Sequence, residues 1–356
     1  MSRYSDTLAH RRVKHFPLPP VDWNRIDAEA PRVLGFDYHG PNSRLPKADA
    51  VVITWTSAEW SALDHVMINS DSYRNPTAEH WRDAWLHYAY DAPVDNNDNF
   101  TGNPLWGFIR LVEINAKKVL LLKSDAHLAH PPYAAGLSHL IQLLIEQAQP
   151  SEIFSIGTAG GSELEEKLAD VVITNAAVMN ARLKNNQVPY NHETISNSWN
   201  VPEQFLQTVR ENLFYDINEI LTTQQLQTLC QKLNHKLQSS YPLEQLVNAA
   251  LRPPLPLSKI RLCKDKPLLT TDFYYIAPES GDPKYSTLEM DDAVIAYECK
   301  SKNVHFTFIR NISDPLVTGG LPDHVRDDWS SLIYEAFGLY SSFNGALACW
   351  AVLAGR

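Results

Sequence analysis

Residues 286–316, STLEMDDAVIAYECKSKNVHFTFIRNISDPL, limit what this chain can become more than any other stretch. They open on an acidic cluster, Glu289-Met290-Asp291-Asp292. A helical-looking segment follows at 293–301, then a β-rich run at 304–309 that closes on Arg310-Asn311-Ile312-Ser313-Asp314. A helix leading into a buried strand is a unit of an α/β fold. Here carboxylates stand ahead of the helix and another follows the strand. Such folds hold ligands beyond the carboxyl ends of their strands. Two acids in one crevice, one neutral and one ionised, are a common means of breaking a glycosidic bond.

The rest of the chain supplies the layers this unit needs. AVVITW at 50–55 is apolar and β-branched, as a strand buried on both faces should be. Thr56 or Ser57 can cap the helix after it, and Glu59 then falls in the first turn, where the helix dipole favours a carboxylate. Residues 106–114 and 118–123 predict a β-hairpin, and 134–149 an amphipathic helix. A strand at 152–156 ends in Gly157-Thr158-Ala159-Gly160-Gly161, whose glycines allow a sharp turn and close backbone packing. That string lacks the GK[ST] of a phosphate loop and the spacing of a dinucleotide site. A further strand is expected at 169–174, and a closing core helix at 327–353. Trp81, Trp85, Tyr88 and Tyr90 are expected on one packed helix.

Four stretches in chain order, 48–63, 119–161, 268–276 and 286–316, resemble the nucleoside phosphorylase superfamily. They resemble in particular its 5′-methylthioadenosine/S-adenosylhomocysteine nucleosidase branch. The E-M-D string and the R-x-x-S-D string carry most of that resemblance. It implies a three-layer α/β/α domain with a central mixed sheet over residues 48–356. A helical insertion at 184–256 and an extended arm at 1–47 stand outside the shared pattern. The insertion reads as a lid, an oligomer contact or a determinant of substrate size.

By the same resemblance, Glu59 activates the attacking water and Asp314 protonates the departing base. Asp291 binds the ribose hydroxyls with Met290 packed beneath the sugar, and Phe273, with Tyr274 as its rival, stacks on the purine. Asp291 stands where the family usually has glutamate, one methylene longer. Arg310 either opposes the raised pKa that Asp314 needs or turns towards Glu289 or another acid. Ser124 matches a serine offered to water or ribose, but Asp125, Ala126 and His127 replace the glycines expected beside it. A negative charge there disfavours phosphate and favours water. The expected activity is purine nucleoside N-glycosidase. The alternatives are a phosphorylase using phosphate and a nucleoside- or nucleotide-binding protein without turnover.

Composition excludes other classes. A formal charge of −10 argues against a nucleic-acid surface. Cys230, Cys263, Cys299 and Cys349 form no metal-binding pair, and His127 and His130 lack a third ligand, so no metal or cofactor is expected. The loop at 91–103 lacks the order of a calcium hand. The polar start does not read as a signal peptide, and no apolar run approaches the roughly 20 residues of a membrane span. The expectation is a cytoplasmic protein, a homo-oligomer by resemblance, whose partner is a small purine nucleoside or nucleotide. The proline-rich arm carries Phe16, Trp23, Phe36 and Tyr38, which suit it to wrap the domain or reach a neighbouring subunit.

Overall fold

The computed structural model describes residues 17–75, 80–93 and 106–356. Its strands are β1 (Arg32–Leu34), β2 (Ala50–Thr54), β3 (Leu86–Tyr88), β4 (Gly107–Ile114), β5 (Lys117–Ser124), β6 (Glu152–Gly160), β7 (Val171–Thr174), β8 (Ala176–Asn180), β9 (Thr194–Ser196), β10 (Ile260–Cys263), β11 (Leu268–Thr271), β12 (Leu288–Glu289) and β13 (His305–Asp314). Its α-helices are α1 (Ser57–Met67), α2 (Tyr133–Ala148), α3 (Glu203–Leu213), α4 (Thr223–Leu237), α5 (Leu243–Leu246), α6 (Asp292–Ser301) and α7 (Asp323–Ala354).

The sheet is mixed and is built around β6. β2 and β13 both run parallel to β6. Beyond β13 come β7, antiparallel, and β10. Beyond β2 come β5 and then β4 and β1, both joined antiparallel. At Gly160, the carboxyl end of β6, a second branch starts: β12 meets Leu288 to Gly160, and β11, β8 and β9 follow. The sheet therefore forks where its central strand ends, and the fork leaves a crevice.

Strand alternation feeds two cores. Phe154 and Ile156 of β6 face α1, α7 and the insertion helices, while Ile153 faces α2 and α6. Helices thus cover both faces of the sheet, which is the three-layer arrangement. By length and composition alone α7 is apolar enough to cross a membrane, which the sequence reading missed. Its apolar window is 94% buried inside the fold, as a core helix should be.

Several elements differ from expectation. The aromatic run at 81–90 is a 3-10 turn (His80–Ala84) and then β3, not a helix. Pairing with β4 decides this, together with Trp85 Nε1 donating to Asp64 Oδ1 at 2.7 Å and Trp81 set edge-on to Trp60. The glycines after residue 156 make no sharp turn: β6 runs on to Gly160 because β13 pairs with it throughout. β13 itself continues through Asp314. In the insertion, β9 joins the sheet, α3 and α4 pack into the α7 core, and only Leu243–Leu246 of 241–251 is α-helical. The described part of the arm belongs to the fold: Leu18 pairs with Arg74, and Trp23 lies 4.5 Å from Trp350, centroid to centroid. Residues 1–16, and most of the loop at 91–103, lie outside the described residues.

Candidate active site

The turn from β2 into α1 builds the first part of the site. Thr56 caps α1: Glu59 N donates to Thr56 Oγ1 at 3.3 Å, and Thr56 N donates to Glu59 Oε2 at 2.9 Å. This reciprocal pair is a capping box. Oε2 also accepts from Thr54 Oγ1 and Trp55 N, both at 3.0 Å. Oε1 accepts from Thr158 N at 2.7 Å and Thr158 Oγ1 at 2.8 Å. Glu59 therefore starts a helix, pins β2 to β6 and faces the crevice at once. Five donors thus converge on its two oxygens.

The acidic cluster is organised by the start of α6. Glu289 Oε2 accepts from Asp291 N at 2.6 Å and Asp292 N at 3.0 Å, and its Oε1 takes the Thr270 hydroxyl. Arg310, buried on β13, donates through Nε to Asp292 Oδ2 at 2.9 Å and through Nη2 to Ser155 Oγ at 2.6 Å. Nη2 also lies 3.4 Å from Glu289 Oε2. Arg310 thus turns towards Asp292 and Glu289, and the conflict with Asp314 does not arise. Burial, then the charge of Asp292, pushes Glu289 above the usual carboxylate range. Burial also raises Asp292, with Arg310 opposing it.

Asp291 is held from the loop after β5. Its Oδ1 accepts from Leu128 N at 3.1 Å, and His127 Nε2 lies 3.3 Å from its Oδ2. His127 Nδ1 accepts from Ala129 N at 2.9 Å, so a neutral ring carries its proton on Nε2 and donates it to Asp291. Burial drives the two towards their neutral forms: Asp291 well above its usual range, His127 down to about 4.

Asp314 ends β13 at the fork. Oδ1 accepts from Ser313 Oγ at 2.6 Å and Oδ2 from Tyr274 Oη at 3.1 Å. Burial pushes its pKa up to about 6 against those two hydroxyls. A side chain at Gly160 would begin 3.3 Å from Oδ2, so the glycine leaves this acid its room. One cavity of about 1110 Å³ is lined by Glu59, Asp291 and Asp314 together, with Phe273, Glu289, Met290 and Arg310 also on its walls. The Arg182 guanidinium covers the Phe273 ring at 3.7 Å.

Ser124 is the exception among the expected residues. It is 2% exposed and does not line the cavity. Its Oγ donates to Ala126 O at 3.0 Å and accepts from Ala126 N at 3.1 Å, which closes its own turn. Asp125 likewise turns to Lys123.

Residues the sequence reading did not assign complete the site. Asp292 is the main partner of Arg310, and Thr158 holds Glu59. His127, weighed only as a metal ligand, holds Asp291. Gly157 separates nothing yet decides much: a Cβ there would sit 2.5 Å from Arg310 Nη1 and 2.9 Å from Glu59 Oε1. Glycine inside a strand is the one signal in the sequence for such a close approach. The far wall comes from α4 of the insertion, through Thr228, Gln231, Lys232, His235 and Lys236.

No family model matches this chain. No curated protein matches it either. Among solved structures it is similar, at 12% identity and a TM-score of 0.48, to a mutant 5′-methylthioadenosine/S-adenosylhomocysteine nucleosidase of Helicobacter pylori with 5′-methylthioadenosine in the active site. That match covers 86% of this chain and 98% of the other. The Neisseria meningitidis nucleosidase in complex with methylthio-immucillin-A gives 0.47 and 12%, covering 86% of this chain and 100% of that one. Futalosine hydrolase of Helicobacter pylori also gives 0.47 and 12%, covering 86% and 97%. At that distance the substrate has to be read from the cavity itself.

Proposed function

We propose that this protein is a purine nucleoside N-glycosidase that hydrolyses the bond between ribose and base with water as the nucleophile. The observation that carries this reading is the opening of Glu59, Asp291 and Asp314, distant in the chain, onto one cavity. Asp314 is the general acid. A pKa of about 6 lets it hold a proton near neutrality and release it to the base as the bond breaks. Asp291, oriented by His127 and Leu128, takes the ribose hydroxyls above Met290. Phe273, backed by Arg182, offers a face for the purine. Glu59 and Arg310 Nη1 approach each other across Gly157, and Glu59 would activate the nucleophilic water there.

Phosphorolysis is the second reading, and the charges argue against it. Arg310 is already matched by Asp292 and Glu289, so the site floor offers phosphate little unpaired positive charge. The cavity is slightly larger than the usual range for small-molecule sites. A substituent beyond the nucleoside therefore has room along α4.

The test is release of free base from a panel of purine nucleosides and nucleotides in phosphate-free buffer, repeated with phosphate added. Release without phosphate is expected, and Asp314→Asn should lower it by roughly 10²–10⁴ while circular dichroism stays unchanged. Dependence on phosphate would move the assignment to a phosphorylase, and a fully active Asp314→Asn protein would end the assignment of the acid. Tight binding without turnover across the panel would favour a binding protein.

A further inference from the structure

Tyr274 makes a polar contact that none of these roles uses. It stands on the irregular segment after β11, and 36% of it is exposed. Its phenol donates to Asp314 Oδ2 at 3.1 Å, and Ser330 of α7 hydrogen-bonds the same phenol. Ser313 already holds Oδ1 at 2.6 Å. The two oxygens of Asp314 are thus held from two different elements, its own strand and the segment after β11. We propose that Tyr274 is a positioning residue for Asp314: its phenol fixes the plane of the carboxyl through Oδ2, and a purine docking on the acid competes with Tyr274 for that oxygen. The competition with a purine rests on the hydrolytic reading; the positioning does not.

A carboxyl bonded through one oxygen still turns about its Cβ–Cγ bond, whereas a second partner on the other oxygen sets its plane. A phenol suits this task because it both donates and accepts. With Asp314 ionised, Ser330 donates to the phenol and the phenol donates to Oδ2. With Asp314 protonated on Oδ2, that proton bonds to the phenol oxygen and the phenol turns its own towards Ser330. The same three oxygens serve both states, with Ser330 the outer donor in the first and the outer acceptor in the second.

The charged groups around the contact are few. Asp327 of α7 acts on both Asp314 and Tyr274, and Lys236 of α4 acts on Asp327. Arg310, on the same strand as Asp314, is engaged by Asp292 and Glu289. The phenol's donation favours the ionised acid, so its removal favours the protonated one.

The experiment follows the aspartate carboxyl carbons by ¹³C NMR across pH in the full chain, with the Asp314 signal assigned by its loss in Asp314→Asn. Tyr274→Phe should raise the Asp314 midpoint by about one pH unit, the size of one hydrogen bond to a charged acceptor. Ser330→Ala should move it the same way by less. Tyr275→Phe is the control, because that hydroxyl donates to Asp282 at 3.0 Å, and it should leave the midpoint in place. In the base-release assay, the falling limb of the Tyr274→Phe pH profile should move up with the midpoint. A midpoint unmoved in Tyr274→Phe overturns the inference, whatever the activity. A midpoint that moves in a protein releasing no base from any purine nucleoside upholds the positioning and overturns the hydrolytic reading.

Discussion

Arg310 shows how single residues set this site. Its guanidinium lies among Ser155, Glu289 and Asp292, with almost no exposure. Removing one partner of such a buried set leaves charge uncompensated, so Arg310→Met should cost about 3–5 kcal/mol in urea unfolding near neutral pH. The loss should shrink as pH falls below about 8, because burial raises Glu289 to about 8 and raises Asp292 as well, and each needs the arginine less once protonated. Asp314 makes an opposite prediction. Its folded pKa, about 6, lies above the ordinary aspartate value of 3.8. The stability linked to its proton is full below the lower value and is lost as pH rises through the upper one. Asp314→Asn has no charge to bury, so its melting temperature should exceed that of the wild type at about pH 8, and the gap should close at about pH 4. An acid that costs stability at working pH is what a catalytic role demands. The structure brings Glu59, Asp291 and Asp314 onto one cavity, while the sequence left open which way Arg310 turned. A side chain of that reach, four residues from Asp314 and near three other acids, has several partners within its length.

At the scale of elements, β6 and α4 carry the lesson. The string GTAGG, through its glycines, allows either a sharp turn or close backbone packing. It stays extended because β13 pairs along it, and its glycines instead admit Glu59, Arg310 and Asp314 to the strand's edge. Gly157→Ala should therefore abolish most base release, since its methyl group collides with both Arg310 and Glu59, while the fold survives with a lowered melting temperature. Helix α4 was legible as an amphipathic element. Leu226, Leu229 and Leu233 face the core, and its capping Thr222 accepts from Gln225 N at 3.1 Å. That its polar face closes the cavity was not legible, because no periodicity says which neighbour a polar face meets. Gln231→Trp, which narrows that wall, should raise KM for nucleosides with long substituents by several-fold. It should leave kcat for the smallest substrate unchanged, as steady-state kinetics on two substrates will show.

For the whole molecule, the two main cores and the forked sheet join segments far apart in the chain. The N-terminal segment is an example: Trp23 packs on Trp350 of α7 and donates through Nε1 to Ser70 Oγ at 3.0 Å. Trp23→Ala should cost about 3–5 kcal/mol in denaturant unfolding and leave kcat unchanged where the protein is folded. Hydrophobic period and local capping are short-range properties, and from them the sequence by itself determined the strands β2 and β13, the helix after β2, the closing core helix and the acids before α6 and at the end of β13. Strand pairing, the turn of a long side chain and what the polar face of α4 meets depend on contacts between segments far apart in the chain. Only the tertiary structure decided those. It extended β6 through its glycines, withdrew Ser124 into its own turn, swung Arg310 to Asp292, and set Tyr274 against Asp314.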